Sequence, residues 1–361
     1  MQSSTPTLTE APTARVTRPD RHLWIWVTLT VVALGLYLGT RCGTPPIVDT
    51  SGKAIPGSVA SLERVRIGGI DQWVLIRGVN RNNPVLLVLH GGPGLALMPL
   101  AYKFQRGLED DFVVVEWDQR AAGMSYSPTV PSSSLNEEQL ISDAREMTKF
   151  LRSRFHQPRV FVLGHSWGTY LGMRLIQRYP EMFYAYVGVG QVGDASRIPE
   201  LQAAFVRAKA QQIGDQQAVQ QLAGGDEGAR RGLVKQFGGD VHGMTSSWPL
   251  VKMALHAPEY DVFDYARYLG GLIFYYRHMP NDLRHAGPAQ SVTSVDVPVY
   301  FFAGDYDEIA PTVLAREYLD QLRAPKKTLV PFASSAHWPF LEETGKFSAD
   351  MKRVRVETLG W

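Results

Sequence analysis

Apolar residues gather in compact runs: PVLLVLH (Pro84–His90), FVVVEW (Phe112–Trp117), VFVLG (Val160–Gly164), AYVGVG (Ala185–Gly190) and VPVYFFAG (Val297–Gly304). Short runs of this kind predict strands buried on both faces, as in a parallel sheet. Upstream, LERVRI and DQWVLIRG alternate around GGI and predict a hairpin. Helical periodicity lies between the runs. Within Asn136–Phe155, Leu140, Ala144, Met147 and Leu151 recur at helical spacing, and Pro158 follows as a stop. Strand and helix in alternation predict an α/β, doubly wound, mostly parallel sheet. From residue 195 to 286 the strand pattern disappears. IPELQAAFVRAKAQQIGDQQAVQQLA is helical in character and FDYARYLGGLIFYYRHM is aromatic-rich, so an inserted helical cap is expected at 195–286. The sheet domain then comprises 61–194 and 287–361.

The N-terminal pattern is different. Residues 1–22 are expected to form a disordered cytoplasmic tail, on the strength of the Ser, Thr and Pro between Met1 and Asp20. Leu23 to Thr40 carries no charge in eighteen residues. As a helix this segment spans about 27 Å, close to a bilayer core of about 30 Å. Arg15, Arg18, Arg21 and His22 precede it, and Trp24, Trp26 and Tyr37 sit near its ends. The segment predicts a single-pass transmembrane anchor over 23–40, with the N-terminus cytoplasmic and the rest of the chain outside the cytoplasm. A cleaved signal peptide and a buried helix are the alternatives, but TRCGTPP offers no small-x-small cleavage site. Residues 41–60, with Pro45, Pro46 and Pro56, read as a linker, with ordered structure expected from near Ser61.

Composition narrows the function classes. The 361 residues carry 37 basic and 35 acidic side chains, a net charge of +2, with no basic footprint for nucleic acid. The lone cysteine, Cys42, excludes an intrachain disulfide and a cysteine-based metal site. Number of subunits is left open.

Two glycine-bearing turns follow buried runs. HGGPG (His90–Gly94) could cradle a phosphate or an oxyanion. A phosphate loop wants a terminal Lys and Ser/Thr, and GGPGLALM has neither. GHSWG (Gly164–Gly168) is a G-x-S-x-G between a strand run and a helical run. That context lifts the Ser166 hydroxyl above the sheet and aims the Trp167 amide at a reacting carbonyl. A serine nucleophile needs a base, and the base an orienting carboxylate. His337 in SSAHWPFLEE is the candidate base. Asp307 in GDYDEIAP is the candidate acid, with Asp305 and Glu308 as alternatives. The order Ser, Asp, His is that of α/β-hydrolases. His90 and His165 lie in the turns and are expected to brace them.

Taken in order, HGGPG, WDQRAAGMS, GHSWGTYLG, GDYD and AHWPFLEE resemble the α/β-hydrolase superfamily, and within it the proline iminopeptidase group of serine peptidases. The resemblance runs from about Leu62 to Glu343. It implies Ser166, Asp307 and His337 as the triad, the Gly92 N–H as second oxyanion donor beside Trp167, and no cofactor or metal. It implies an aminopeptidase releasing N-terminal proline or small apolar residues from short peptides through an acyl-enzyme. Two departures bear on it. Ala121 stands where the family usually has glycine, so that position is expected not to need a positive φ. The Trp-x-x-Trp-Glu element usual in the cap is missing. Glu259 and Asp264, near Asp261, and Gln191, near Asp194, are therefore the candidate substrate-binding residues. An esterase, lactonase or amidase acting on small apolar acyl groups is the alternative within the same chemistry. A non-catalytic binding protein on the same fold is the other.

Overall fold

The computed structural model describes residues 21–39 and 43–361, with side chains in the first segment from residue 24 to 35. The chain divides into two units at Thr40. The first is a helix, Arg21–Gly39, whose side chains from Trp24 to Leu34 are exposed. Among the described residues no helix is long and apolar enough to cross a membrane, which leaves the expected anchor without structural support. Of the expected disordered tail, 1–22, residues 1–20 lie outside the described residues, and Arg21 and His22 belong to the helix instead.

In the second unit eight strands form one sheet in the order β1-β2-β4-β3-β5-β6-β7-β8. They are β1 Val59–Ile67, β2 Ile70–Gly78, β3 Val85–Leu89, β4 Val113–Asp118, β5 Val160–His165, β6 Phe183–Val189, β7 Val299–Gly304 and β8 Lys327–Phe332. β1 and β2 form the expected hairpin and join β4 antiparallel. From β4 to β8 every pairing is parallel. The reason the central runs are apolar throughout is visible in their packing. Val85, Leu87 and Leu89 of β3 enter the core on one face, while Leu86 and Val88 enter the core on the other. Val113, Val115 and Phe112, Val114 divide in the same way, as do Val299, Phe301 and Tyr300, Phe302. A residue on either side of these strands loses its water, so apolar residues are favoured on both sides.

One face is covered by helices Glu137–Arg154, Trp167–Arg178 and Thr312–Gln321, through residues such as Met147, Leu171 and Tyr318. The other is covered by Met98–Phe104 and Thr344–Leu359, through Phe104, Phe347 and Met351. Helix Glu137–Arg154 starts where Asn136 Oδ1 accepts the Gln139 N–H at 2.9 Å. Glu137 and Glu138 occupy its first turn and Arg152 and Arg154 its last, as the helix dipole favours. Asp143 of this helix, fully buried, takes Arg120 Nε at 2.7 Å and Nη2 at 3.0 Å, Gln72 at 2.9 Å and Gln139 at 2.7 Å. This network pins the loop after β4 to the helical layer.

Six helices lie between β6 and β7: Ile198–Ile213, Gln216–Ala223, Glu227–Gln236, Trp248–Ala254, Val262–His278 and Asn281–Arg284. The first three share a small core of Val206, Ala210, Ala218, Leu233 and Val234. Tyr275, on the long fifth helix, donates its hydroxyl to Arg120 O at 2.7 Å, tying the insertion to the sheet domain.

Three expectations are corrected. Residues 43–60 are not a free linker. Ile47 is 1% exposed, Val48 bridges Ala54, and Arg77 Nη1 donates to Pro45 O at 2.6 Å. The strand β1 starts at Val59 rather than after Ser61. Ala121 has φ 59°, so the position does take the left-handed conformation despite its Cβ. Strand β8 had no counterpart among the apolar runs. It is an edge strand, its Lys327 and Pro331 are exposed, and its pattern is too polar to stand out.

Candidate active site

The candidate residues sit where parallel strands end. β3 leads into His90–Gly94, β5 into Ser166, β7 into Asp307 and β8 into His337. Parallel strands put these ends along one edge of the sheet, the usual place for a site in an open α/β fold.

At the turn after β5, Ser166 has φ 54° and ψ −124°, a strained conformation for a residue with a side chain. Its N–H donates to Val189 O at 2.9 Å, and its carbonyl receives Thr169 N–H at 2.8 Å. The flanking glycines permit the sharp turn. A Cβ on Gly168 would lie 2.2 Å from Leu89 O, and one on Gly164 would lie 2.6 Å from Gly168 O. Trp167 opens the following helix, so its N–H is one of the orphan donors of a helix start. Gly91 packs against the same turn: a Cβ there would meet Ser166 Cβ at 2.7 Å. Gly92, with φ 114°, lines one cavity together with Ser166 and Trp167.

His90 braces this turn as expected. Gln119 N–H donates to its Nε2 at 3.2 Å, so the proton resides on Nδ1, 3.0 Å from Gly91 O. Burial pulls its pKa down to about 4, which keeps it neutral.

His337 Nδ1 lies 2.8 Å from Asp307 Oδ2, and both side chains are buried. Asp307 Oδ1 accepts the N–H groups of Ile309 and Ala310, each at 2.9 Å. Asp305, by contrast, is exposed, and Glu308 points to a different cavity shared with Arg316, its pKa raised to about 7 by burial and by Asp307. Among these acids it is Asp307 that the structure brings to the imidazole. Burial lowers the His337 pKa, but the charge and hydrogen bond of Asp307, together with Asp240, outweigh it, and the net shift is upward. A Cβ on Gly190 would lie 2.7 Å from His337 Cε1. Gly190 follows Val189, whose carbonyl holds Ser166 N–H, so the imidazole rests against the chain that positions the serine.

Sequence reading missed the carboxylates that hold the His337 loop. Glu342 accepts N–H groups from Ala336 at 3.0 Å, Trp338 at 2.9 Å and His242 at 2.6 Å. Glu343 accepts Ser334 N–H at 3.0 Å and the Ser335 hydroxyl at 2.6 Å. The paired acids at the end of AHWPFLEE were their signal. His165 Nε2 lies 3.1 Å from His337 O and clamps the loop from below.

The candidate substrate-binding residues lie elsewhere. Gln191 is 2% exposed and is absorbed by Tyr186, whose hydroxyl it accepts at 2.7 Å, and by Val192 O at 2.9 Å. Asp194 caps its own turn through Ser196 N–H at 3.1 Å. Asp264 and Asp261 form a reciprocal capping box at the start of helix Val262–His278. Glu259 is buried near Thr44 and Arg77, and burial raises its pKa. None of them lines the cavity over Ser166. Its polar wall is Gln202, Glu227, Arg230, Arg231, Arg284 and His285, and its volume is about 140 Å³. These residues follow no motif, and packing of the helical insertion brings their separate segments together. Among the described residues no group of His, Cys, Asp or Glu is placed to hold a metal.

The comparisons agree with this architecture. The family model described as alpha/beta hydrolase fold matches residues 84–344. A probable aminopeptidase, YbaC, of Bacillus subtilis (strain 168) is 31% identical over 310 residues, covering 82% of this chain and 96% of the relative. A probable proline iminopeptidase of Leptolyngbya boryana is 32% identical over 105 residues, 28% of this chain and 30% of the relative. Among solved structures, a proline iminopeptidase-related protein from Thermus thermophilus has a TM-score of 0.59 at 20% identity, covering 84% of this chain and 99% of its own. The proline iminopeptidase of Mycobacterium smegmatis has a TM-score of 0.59 at 18% identity, covering 83% and 99%. The chain belongs to the α/β-hydrolase family.

Proposed function

We propose that this hydrolase is a serine aminopeptidase of the proline iminopeptidase type, releasing N-terminal proline or small apolar residues from short peptides. The observation that carries the serine mechanism is the strained Ser166 turn beside a buried His337–Asp307 pair. Ser166 Oγ attacks the acyl carbon as His337 Nε2 takes its proton. The N–H groups of Gly92 and Trp167 receive the oxyanion, a contribution of about 3 kcal/mol for each donor. Collapse breaks the C–N bond, and the leaving amine takes the proton from His337. Water, deprotonated by His337, then attacks the acyl-enzyme and releases the acid and Ser166. Asp307 holds the Nδ1–H tautomer that leaves Nε2 free to accept. The peptidase assignment draws on the peptidase names of the relatives. Apolar walls from Val192, Ile198 and Ile309 suit a small acyl group.

A second reading, an esterase or amidase, is favoured by one feature. Among the described residues Glu227 is the one carboxylate lining the cavity, and it already sits 3.2 Å from His285 and 3.5 Å from Arg231. A prolyl arylamide compared with acyl aryl esters separates the two. A fluorophosphonate probe is expected to label Ser166 and to leave Ser166→Ala unlabelled; equal labelling of both would refute the serine mechanism. We also propose that the uncharged stretch Leu23–Thr40 holds the enzyme at a membrane, with the catalytic unit outside the cytoplasm. Release of the whole chain by an alkaline wash of membranes would refute that placement.

A further inference from the structure

The cavity over Ser166 is cationic. Arg230 and Arg231, on helix Glu227–Gln236, and Arg284, at the end of Asn281–Arg284, line it, against one carboxylate among the described residues, that of Glu227. Each guanidinium is held in place. Arg230 Nε donates to Gln202 Oε1 at 3.2 Å, and Arg231 Nη1 donates to Glu227 Oε1 at 3.5 Å. Arg284 Nη2 donates to Tyr276 O at 2.7 Å and Met279 O at 3.1 Å, and its buried Nε has no hydrogen-bond partner among the described residues. Arg231 is close enough to the catalytic centre that its charge pulls against the raised pKa of His337. The remaining wall is mostly apolar. Unbalanced positive charge in a partly dry cavity raises the local concentration of anions. A guanidinium fork fits a carboxylate bidentately, which an ammonium cannot do.

We propose that Arg230, Arg231 and Arg284 bind a carboxylate on the substrate, so that the preferred substrates are small molecules carrying one: free di- and tripeptides, read through their C-terminal carboxylate. The peptide identity rests on the peptidase reading above; the carboxylate site does not.

Two matched pairs test it on the full chain: prolyl-alanine against prolyl-alaninamide, and 4-nitrophenyl hydrogen succinate against 4-nitrophenyl butyrate. The expected result is a kcat/KM ratio of about ten- to a hundredfold in favour of the carboxylate member, the range of a charge-assisted hydrogen bond. The ratio is expected to fall toward one in about 0.5 M salt, where the Debye length is roughly 4 Å. It is also expected to fall in the Arg230→Gln/Arg231→Gln variant, whose side chains are partly exposed. Arg284→Gln, tested separately, is expected to lower the ratio as well. Arg231→Gln is also expected to move the acid limb of the pH profile upward, since a cation near His337 is lost. A ratio of one or less in the parent enzyme, or a ratio untouched by the arginine substitutions, would overturn the proposal. Hydrolysis of the esters with neither peptide cleaved would defeat the peptidase reading, and the ester ratio would then decide the carboxylate site by the same criterion.

Discussion

Replacing Asp307 by Asn tests the catalytic assignment at a point where the geometry leaves the amide little choice. Asp307 Oδ1 accepts two backbone N–H groups, from Ile309 and Ala310, each at 2.9 Å. In the variant the amide oxygen must stay there, because an NH2 turned toward two backbone donors would leave them unpaired in a buried site. The NH2 then faces His337 Nδ1, where a carboxylate oxygen stood at 2.8 Å. The imidazole can answer only by moving its proton to Nε2, so that Nδ1 accepts. In that tautomer Nε2 no longer takes the Ser166 proton. An acid-to-amide change of this kind costs about ten-thousand-fold in kcat. At about 1.36 kcal/mol for each tenfold, this is roughly 5 kcal/mol of barrier. Stability is expected to fall much less, by about 1 kcal/mol, because the backbone bonds survive and a charged hydrogen bond is exchanged for a neutral one. A second readout has a fixed sign. Asp307 raises the His337 pKa, so its loss moves the acid limb of kcat/KM to lower pH. The assay is hydrolysis of an aryl ester from about pH 5 to about pH 10 alongside thermal unfolding. Residual activity within tenfold of the parent, or an acid limb displaced to higher pH, would refute the assigned role.

Gly168→Ala is expected to destabilise the fold by about 1–3 kcal/mol, because the new methyl meets two carbonyls of the backbone, Leu89 O and His90 O, that cannot swing aside. An unfolding midpoint equal to the parent's would contradict that packing. Buried acids on β4 give a pH signature. Burial raises Glu116 to about 8 and Asp118 to about 7. The folded chain keeps these protons while the unfolded chain loses them near the ordinary carboxylate range, so their contribution is complete below that range and drains away as pH rises toward 7 and 8. Asp118→Asn removes one of the two, so relative to the parent it is expected to gain stability between about pH 4 and about pH 7 in urea titrations; a relative loss over that window would sink the reading.

How much of the fold was legible follows from where each residue's constraint comes from. The strands β3 to β7 were readable because both of their faces are covered, which forces apolar residues at consecutive positions. Strand β8 lies at the sheet edge, and Lys327 and Pro331 satisfy an edge without any such signal. Ala121 shows the opposite limit. Its positive φ was excluded because a Cβ disfavours it, yet the loop holds that shape. Arg120 next to it is locked by Asp143 and its carbonyl by the Tyr275 hydroxyl. Tertiary bonds on the neighbouring residue outweigh a local penalty of about 1–2 kcal/mol.

The same distinction separates chemistry from specificity at the site. Ser166, Asp307 and His337 each lie in a turn at a strand end, where the glycines and acids that shape the turn are neighbours in sequence and can be read together. The residues lining the cavity come from segments far apart in the chain. Glu227, Arg230 and Arg231 share a helix with their backs to a core of Leu233 and Val234, and Arg284 comes from another helix more than fifty positions later. Nothing in either segment announces a site, because exposed arginines on a helix are ordinary until packing turns them toward a serine. The acids that did look suitable, Asp261 and Asp264, were already claimed by a helix start. A capping box satisfies the donors of its own helix first, so carboxylates at N-terminal helix positions are poor candidates for substrate binding unless another group holds the cap.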